Sequence, residues 1–274
     1  MKQISILGCG WLGLPLAKAL RHKGYAIKGS TTSENKKEIL ESFGISHFAI
    51  ALETDHTSEN LPEFLKGSDI LIIAIPPKLR GKNKDYSTAS SNSFVKKIEN
   101  LVPLIENATI DKVLFISSTA VYGDANTTIS EDSAIAPVTE SGKQLAQIED
   151  IIMQNPAFKT TVLRFGGLIG PDRNPARFLA GKENVENPKA PVNLIHLDDC
   201  IGIIEKIIEL DHWNTYFNAV SPYHPTREDY YIQKALEQNL VPPTFNHDIP
   251  SVGKTITSDK VLTQLHYTFS QRNL

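Results

Sequence analysis

The feature that most constrains the fold of this sequence is a group of three glycines close to the amino terminus. Residues 4–13 read ISILGCGWLG, so a short apolar run leads into the pattern Gly-x-Gly-x-x-Gly and then into a helix-forming segment. In this context the first glycine permits a tight turn, the second lets the backbone approach a pyrophosphate, and the third allows close helix–strand packing. Phosphates would bind the backbone N–H groups at the positive end of the helix dipole. The pattern predicts a dinucleotide-binding loop formed by Gly8, Cys9, Gly10, Trp11, Leu12 and Gly13.

Composition and charge are those of an ordinary globular protein. The 274 residues carry a net charge of −3, which gives no general attraction to nucleic acid or anionic lipid. No apolar run approaches the roughly 18 residues that a membrane span requires. Met1 and Lys2 with the apolar residues after them weakly resemble a secretory signal, but the glycines interrupt that stretch. The two cysteines, Cys9 and Cys200, suggest neither a disulfide framework nor a metal site. We therefore expect a cytoplasmic protein with no metal, no nucleic-acid partner and no membrane partner; an oligomer is compatible with the sequence.

The first 165 residues alternate between apolar runs and helical patterns, which indicates a parallel sheet covered on both faces. The predicted strands are Ile4–Leu7, Ala26–Gly29, His47–Ile50, Ile70–Ile75, Val113–Ser117 and Thr161–Arg164. The predicted helices are Leu12–Lys23, Glu34–Phe43, Ser93–Glu106 and Glu140–Gln154, with a helical turn at 61–65. The fold class predicted is α/β, a Rossmann doubly wound parallel sheet with a small C-terminal α+β substrate lobe.

After residue 165 the pattern changes to a stretch rich in glycine and proline, followed by mixed elements. A helix is predicted over Asp198–Leu210, with Asp198 or Asp199 capping its N-terminus. The remaining predicted elements are a strand at Thr215–Val220, a helix that a capping box opens at Thr226, and a short helix near Ser258–Leu265. We expect residues 1–165 to form a dinucleotide-binding Rossmann domain and residues 166–274 a smaller substrate lobe interleaved with the sheet edge.

The residues after the second strand bear on which dinucleotide is bound. An acid about 20 residues beyond the glycines would bind the ribose hydroxyls of NAD. Here the segment offers the hydroxyl side chains of Ser30, Thr31 and Thr32, and the first acid is Glu34. Hydroxyl groups can donate to a 2′-phosphate, and two lysines follow at 36–37, so the sequence favours NADP over NAD. A simpler interpretation is that Thr32 or Ser33 caps the next helix and that the lysines are solvated.

Three further segments carry a resemblance to a known family. Residues 117–124 read SSTAVYGD, residues 163–171 begin with Leu-Arg and end with Gly-Pro, and residues 193–199 read NLIHLDD. With the N-terminal glycines they span residues 4 to about 200, and they resemble the extended short-chain dehydrogenases of the NAD-dependent epimerase/dehydratase family. Within that family, the chain is similar to an atypical bacterial subgroup.

The resemblance implies a definite chemistry. In such enzymes a hydroxyl at the position of Ser118 binds the substrate oxygen, and hydride passes to or from C4 of the nicotinamide. A tyrosine moves the proton, and a lysine four residues later lowers the pKa of that tyrosine. Aligned on Glu149, however, the tyrosine position holds Ser141 and the lysine position holds Leu145. Lys143 lies about 200° around the helix from the lysine position and cannot simply replace it. General acid–base catalysis is worth about 10²–10⁴ in rate, so the family's standard mechanism is in doubt while cofactor binding is not.

Other candidate residues follow from the same resemblance and from strand ends. The additional cofactor-binding candidates are Ala74, Ile75 and Pro76 after the fourth strand, and Ser117. The substrate-binding candidates are Thr119, Tyr122, Phe165, Gly166 and Arg173. For Tyr122 the sequence allows two roles, contact with the substrate and packing in the core. For the arginines at 164, 173 and 177 the sequence allows two roles, binding an anionic substrate and forming an ordinary ion pair. His196 with the aspartates that follow it suggests a strand end and helix cap more than an acid–base pair.

Three functional hypotheses remain. The first is an NAD(P)-dependent oxidoreductase or epimerase acting on a small or sugar-like substrate through Ser118 and a non-standard proton donor. The second is a cofactor-binding sensor without redox turnover. The third, a ketopantoate-type reductase, would need an all-helical C-terminal domain, and the proline-broken tail argues against it.

Overall fold

The computed structural model describes residues 1–32, 34–77, 93–124 and 126–270. Within them, seven parallel strands form one sheet, in the spatial order β3-β2-β1-β4-β5-β7-β10. These strands are β1 Gln3–Leu7, β2 Ala26–Thr31, β3 Ser46–Ala49, β4 Ile70–Ile73, β5 Lys112–Ser118, β7 Lys159–Phe165 and β10 Thr215–Ala219. The predicted doubly wound parallel sheet is thereby confirmed. The strand order reverses between β1 and β4, and ligands of such sheets bind at the carboxyl ends of the strands beside this point.

Helices cover both faces of the sheet. The first face packs against α1 Gly13–His22, α2 Lys37–Ser42, α7 Leu197–Glu209 and α9 Asp259–Thr263. The second face packs against α3 Leu61–Leu65, α4 Ser93–Asn107 and α5 Glu140–Met153. The central strand β4 is buried along its whole length, as expected for a strand covered on both faces. The described part of the chain includes no helix that is both long enough and apolar enough to span a bilayer.

The residues after 165 contribute to the main sheet as well as to a smaller unit. β10 pairs with β7 from Thr215 to Ala219, and α7 packs beside α1. The smaller unit contains β6 Thr128–Ile129, β8 Gly167–Ile169, α6 Ala176–Leu179, β9 Leu194–His196, α8 Arg227–Glu237 and β11 Thr255–Ile256. Two short parallel pairs, β8 with β9 and β6 with β11, hold it together.

Several predicted boundaries differ from the structure. The fourth strand ends at Ile73, and the next two residues, Ala74 and Ile75, lie close to Gly8 of the glycine loop. The segment predicted as one helix from Glu34 to Phe43 is a 3₁₀ turn, Glu34–Lys36, followed by α2. Of the two capping candidates for that segment, Ser33 lies outside the described residues.

The cap of α7 was predicted wrongly. The N-cap residue is His196, whose Nδ1 accepts from the backbone N–H of Asp198. Both aspartates lie in the first turn of the helix instead. The Asp199 carboxylate is buried and accepts hydrogen bonds from the Tyr267 hydroxyl and from the backbone and side chain of Ser270. Tyr267 and Ser270, which are distant in sequence, therefore bind the Asp199 carboxylate oxygen that would have capped the helix.

Candidate functional site

The glycine loop joins β1 to α1 through a tight turn. Gly8 has φ +106°, a conformation that L side chains rarely adopt, and a Cβ there would lie 2.9 Å from the carbonyl oxygen of Ala74. At Gly13 a Cβ would lie 2.1 Å from the Gly8 carbonyl oxygen, so helix and strand approach as closely as backbone allows. At Gly10, in contrast, a Cβ would meet nothing within 4 Å. The backbone at Gly10 therefore faces open space beside the loop.

The amino end of α1 offers backbone donors to that space. Its N-cap residue, Leu12, makes no side-chain capping bond. None of the described residues accepts a hydrogen bond from the backbone N–H of Leu12 or Gly13. Unsatisfied N–H groups at the positive end of a helix dipole favour an anion.

The cysteine in the loop belongs to the protein core. The Cys9 side chain is buried and lies against Gly29, where a Cβ would be 2.7 Å from its Sγ. Burial raises the pKa of the Cys9 thiol to about 12. The loop itself is fixed to β2, because the Cys9 N–H donates to the Ser30 carbonyl and the Gly8 N–H donates to the Ser30 hydroxyl, at 2.7 and 3.0 Å. Ser30 is therefore buried under the loop, and Cys9 presents backbone alone to a ligand.

The end of β2 carries a chain of polar side chains. The Thr31 hydroxyl lies 2.7 Å from Nε2 of His47, and Nδ1 of His47 lies 3.5 Å from the Glu34 carboxylate. Thr32 and the two lysines at 36–37 are exposed. The positive charge of Lys36 lowers the pKa of the Cys9 thiol, against the larger effect of burial. The sequence analysis missed His47 because its contacts cross between strands.

The residues that follow β4 lie against the glycine loop. The Ala74 N–H donates to the Leu7 carbonyl, and Ile75 lies next to Gly8, where a Cβ would be 2.7 Å from its Cγ2. Pro76 is exposed at the carboxyl edge. The lysine that follows these prolines, at position 78, lies outside the described residues.

Trp11 connects the glycine loop to the turn that follows β8. Its indole N–H donates to the Pro171 carbonyl at 2.9 Å, and the Arg173 guanidinium carbon lies 4.9 Å from its ring centroid. Gly170 closes the turn, with two backbone hydrogen bonds to Arg173. Because its indole N–H binds this turn, Trp11 joins the glycine loop to the turn after β8. Arg173 places a positive charge beside the loop.

Ser118 ends β5 and begins a 3₁₀ turn at Thr119–Val121. Its half-buried hydroxyl accepts from the Ala120 N–H at 3.2 Å, and the side chain of Thr119 is largely buried. The amino end of α5 lies directly against this turn, since a Cβ on Gly142 would be 2.3 Å from the Ala120 carbonyl oxygen.

The two positions expected to carry the catalytic tyrosine and lysine are both on α5. Ser141 lies in its first turn, 3.3 Å from the Thr139 hydroxyl, and Leu145 is packed into the core at 5% exposure. Neither can supply the acid or the ammonium that the family's mechanism uses.

A buried polar network lies behind Ser118. The Arg164 guanidinium donates to both oxygens of Glu149 and to the Tyr122 hydroxyl, and Ser117 donates to the same carboxylate. The Tyr122 hydroxyl in turn donates to the Asn218 side chain at 2.8 Å. Burial raises the pKa of Tyr122. Arg164 forms an ion pair, and Tyr122, at 1% exposure, packs in the core.

The smaller unit fixes the loop after β5 from the other side. Lys254 donates from Nζ to the carbonyls of Tyr122 and Gly123, at 2.9 and 3.0 Å. Asn193 holds Lys254 by donating to its carbonyl, and its own carbonyl lies against Gly166, where a Cβ would be 2.7 Å away. Phe165, before that glycine, is buried in the sheet. Sequence reasoning missed Asn193 and Lys254 because their partners lie 61 to 132 residues away.

Comparisons with known proteins agree with this geometry. Residues 4–186 match the NAD dependent epimerase/dehydratase family. The chain belongs to that family. It is 33% identical to Protein YeeZ of Escherichia coli strain K12, over 98% of this chain and 96% of that protein. The resemblance drawn from the sequence is thereby confirmed.

Solved structures of other proteins share the fold. UDP-glucuronic acid 4-epimerase from Bacillus cereus in complex with NAD is 16% identical with a TM-score of 0.78, covering 98% of this chain and 92% of that one. MoeE5 in complex with UDP-glucose and NAD is 18% identical with a TM-score of 0.77, covering 97% and 93%. Members of this fold thus hold NAD together with a nucleotide sugar.

Proposed function

We propose that this family member binds NAD(P) and acts as an oxidoreductase or epimerase on a small or sugar-like substrate. The observation that carries the proposal is the glycine loop: open space at Gly10 and backbone N–H donors at the start of α1. The loop, the Ala74–Pro76 edge and the end of β2 would hold the dinucleotide. The UDP-glucose bound by MoeE5, and the UDP-glucuronic acid bound by the Bacillus cereus epimerase in a second structure, support the substrate class.

We further infer that NADP binds more tightly than NAD. The support lies in the exposed hydroxyl side chain of Thr32 at the end of β2 and in the exposed lysines at 36–37, whose charge favours a 2′-phosphate. The acid in this region, Glu34, is contacted by His47.

The chemistry expected at the carboxyl edge centres on Ser118. A bound nicotinamide supplies the hydride donor or acceptor. Ser118 would hold the substrate oxygen, at the end of a strand that Ser117 and Glu149 fix from behind. With Ser141 and Leu145 in place of tyrosine and lysine, the proton must move through a different donor.

A second candidate function is a cofactor-binding sensor without redox turnover. Leu145 favours it: a leucine side chain packed in the core occupies the position from which the lysine would act on the tyrosine and the cofactor.

Cofactor binding is tested by titrating the protein with NADPH and NADH and following nicotinamide fluorescence. Saturable binding is expected, and Gly10→Val should weaken it about 10- to 100-fold, the equivalent of one charge-assisted hydrogen bond. Gly24→Asn is the matched control, because Gly24 lies after the other end of α1 with φ +90° in open space. Absence of a saturable signal with either nucleotide would refute both candidates.

Turnover is tested separately by screening hydroxy and keto compounds, nucleotide sugars included, both for net oxidation or reduction of the cofactor and for an epimerised product, because an epimerase returns its cofactor to the starting oxidation state. The enzyme proposal expects turnover that Ser118→Ala abolishes while cofactor affinity stays unchanged. Normal binding with no turnover across the screen would favour the sensor.

A further inference from the structure

His47 lies beside the end of β2, one of the segments that the proposed function assigns to the dinucleotide. It lies in β3, and its side chain is only 2% exposed. Its two ring nitrogens face two different elements: Nε2 lies 2.7 Å from the Thr31 hydroxyl at the end of β2, and Nδ1 lies 3.5 Å from the carboxylate of Glu34. A buried imidazole thus joins the last residue of β2 to the first acid after it.

The hydrogen-bond roles in this chain are fixed by chemistry. A neutral imidazole has one donor and one acceptor nitrogen. A carboxylate only accepts, so the proton lies on Nδ1, facing Glu34, and Nε2 accepts from the Thr31 hydroxyl. With this tautomer His47 presents an N–H to the Glu34 carboxylate, at a distance of 3.5 Å.

The position of that carboxylate decides what can lie beside it. The Glu34 side chain is 67% exposed and starts the 3₁₀ turn just after β2. An acid at this end of the strand accepts from the ribose hydroxyls of NAD and repels the 2′-phosphate of NADP. When the N–H of His47 faces the carboxylate and keeps it beside β3, that repulsion falls.

We propose that His47 is a positioning residue for cofactor choice, which restrains Glu34 and so admits the 2′-phosphate. The inference rests on the proposed dinucleotide function. It concerns the ratio of the two affinities, which a purely structural role of His47 would not change.

The experiment compares two substitutions at one site. The amide nitrogen of His47→Asn lies near the place of Nδ1 and keeps a donor toward Glu34. The longer side chain of His47→Gln places its amide near the position of Nε2, where its oxygen accepts from the Thr31 hydroxyl, and leaves no donor toward Glu34. Calorimetric titration with NADPH and NADH gives both dissociation constants for each variant. Glu34→Gln removes the charge itself, and Glu38→Gln, an exposed acid in α2, is the charge-matched control.

The expected results concern NADPH. His47→Gln raises its dissociation constant about 2- to 5-fold, as for the loss of one hydrogen-bonding contact, with that of NADH unchanged. Glu34→Gln lowers the dissociation constant of NADPH about 3- to 10-fold. Neither His47→Asn nor Glu38→Gln changes the ratio of the NADPH and NADH dissociation constants. When Glu34 is already glutamine, His47→Gln has no further effect.

Two outcomes would overturn the inference. One is an equal change in both dissociation constants with His47→Gln; the other is an effect of His47→Gln that persists with Glu34→Gln present. If the unsubstituted protein binds neither dinucleotide, the proposed function fails and this inference fails with it.

Discussion

Arg164 and Glu149 place two opposite charges inside the packed layer between the sheet and α5. Their side chains are 2% and 1% exposed, and the guanidinium contacts both carboxylate oxygens. Taking two charges out of water costs several kcal/mol per ion, which only a well-made pair with additional hydrogen bonds offsets. Ser117 and Tyr122 provide those additional bonds, so residues of the SSTAVYGD segment serve the network behind the site.

Breaking this pair is expected to destabilise the protein strongly. Arg164→Met leaves the Glu149 carboxylate buried without its partner, and the free energy of unfolding should fall by about 3–5 kcal/mol. Urea denaturation followed by circular dichroism measures it. The double variant Glu149→Leu/Arg164→Met removes both charges and should recover much of that loss; a double variant as unstable as the sum of the singles would contradict this account.

At the scale of elements, the contact between α5 and the turn after β5 governs how the site is assembled. The helix begins where Gly142 lies against the Ala120 carbonyl, and the Thr139 hydroxyl caps it by accepting from the Gly142 N–H at 3.1 Å. The absence of a side chain at position 142 lets the helix approach the Ser118 turn.

Gly142→Ala should therefore destabilise the protein although alanine is the better helix former. Alanine gains about 1 kcal/mol in helix propensity over glycine. The added methyl at 2.3 Å from a backbone oxygen forces the helix away, which costs about 1–3 kcal/mol or more. Urea denaturation should show a net loss of stability, with Gln147→Ala, on the exposed face of α5, close to neutral. A gain in stability with Gly142→Ala would show that the helix moves aside without cost.

How far the sequence predicts this molecule depends on the separation of the contacts involved. The glycine loop, the six main-sheet strands of the first 165 residues and the helices between them are encoded in neighbouring residues, and they were predicted to within a few positions; the short strand β6 was not predicted. The wrong cap on α7 arose because Asp199 is bound by Tyr267 and Ser270, 68 to 71 residues later. The His47 and Lys254 contacts likewise join elements that no local pattern relates.

At the scale of the whole molecule, burial of weak acids links stability to alkaline pH. Burial raises the pKa of Cys9 to about 12 and raises those of Cys200, Tyr230 and Tyr267. In the unfolded chain thiols ionise near pH 9, whereas the folded chain keeps these protons. The unfolded state thus binds fewer protons above pH 9, and stability falls as pH rises.

The urea midpoint should accordingly stay nearly constant up to about pH 8.5 and decline from pH 9 toward pH 11. Each fully ionised thiol contributes about 1.4 kcal/mol per pH unit to this decline. The double variant Cys9→Ala/Cys200→Ala should show a shallower decline than the unsubstituted protein. Equal slopes in the two proteins would mean that the thiols are not the cause.

The edge strand β10 forms late in the synthesis of this protein. Because β10 at Thr215–Ala219 pairs with β7, the edge of β7 stays unpaired until more than fifty later residues have been synthesised. An emerging polypeptide thus passes through a stage with an open, apolar strand edge, a template for pairing with other chains. Cells producing a version truncated before Thr215 would be expected to accumulate it as insoluble aggregates.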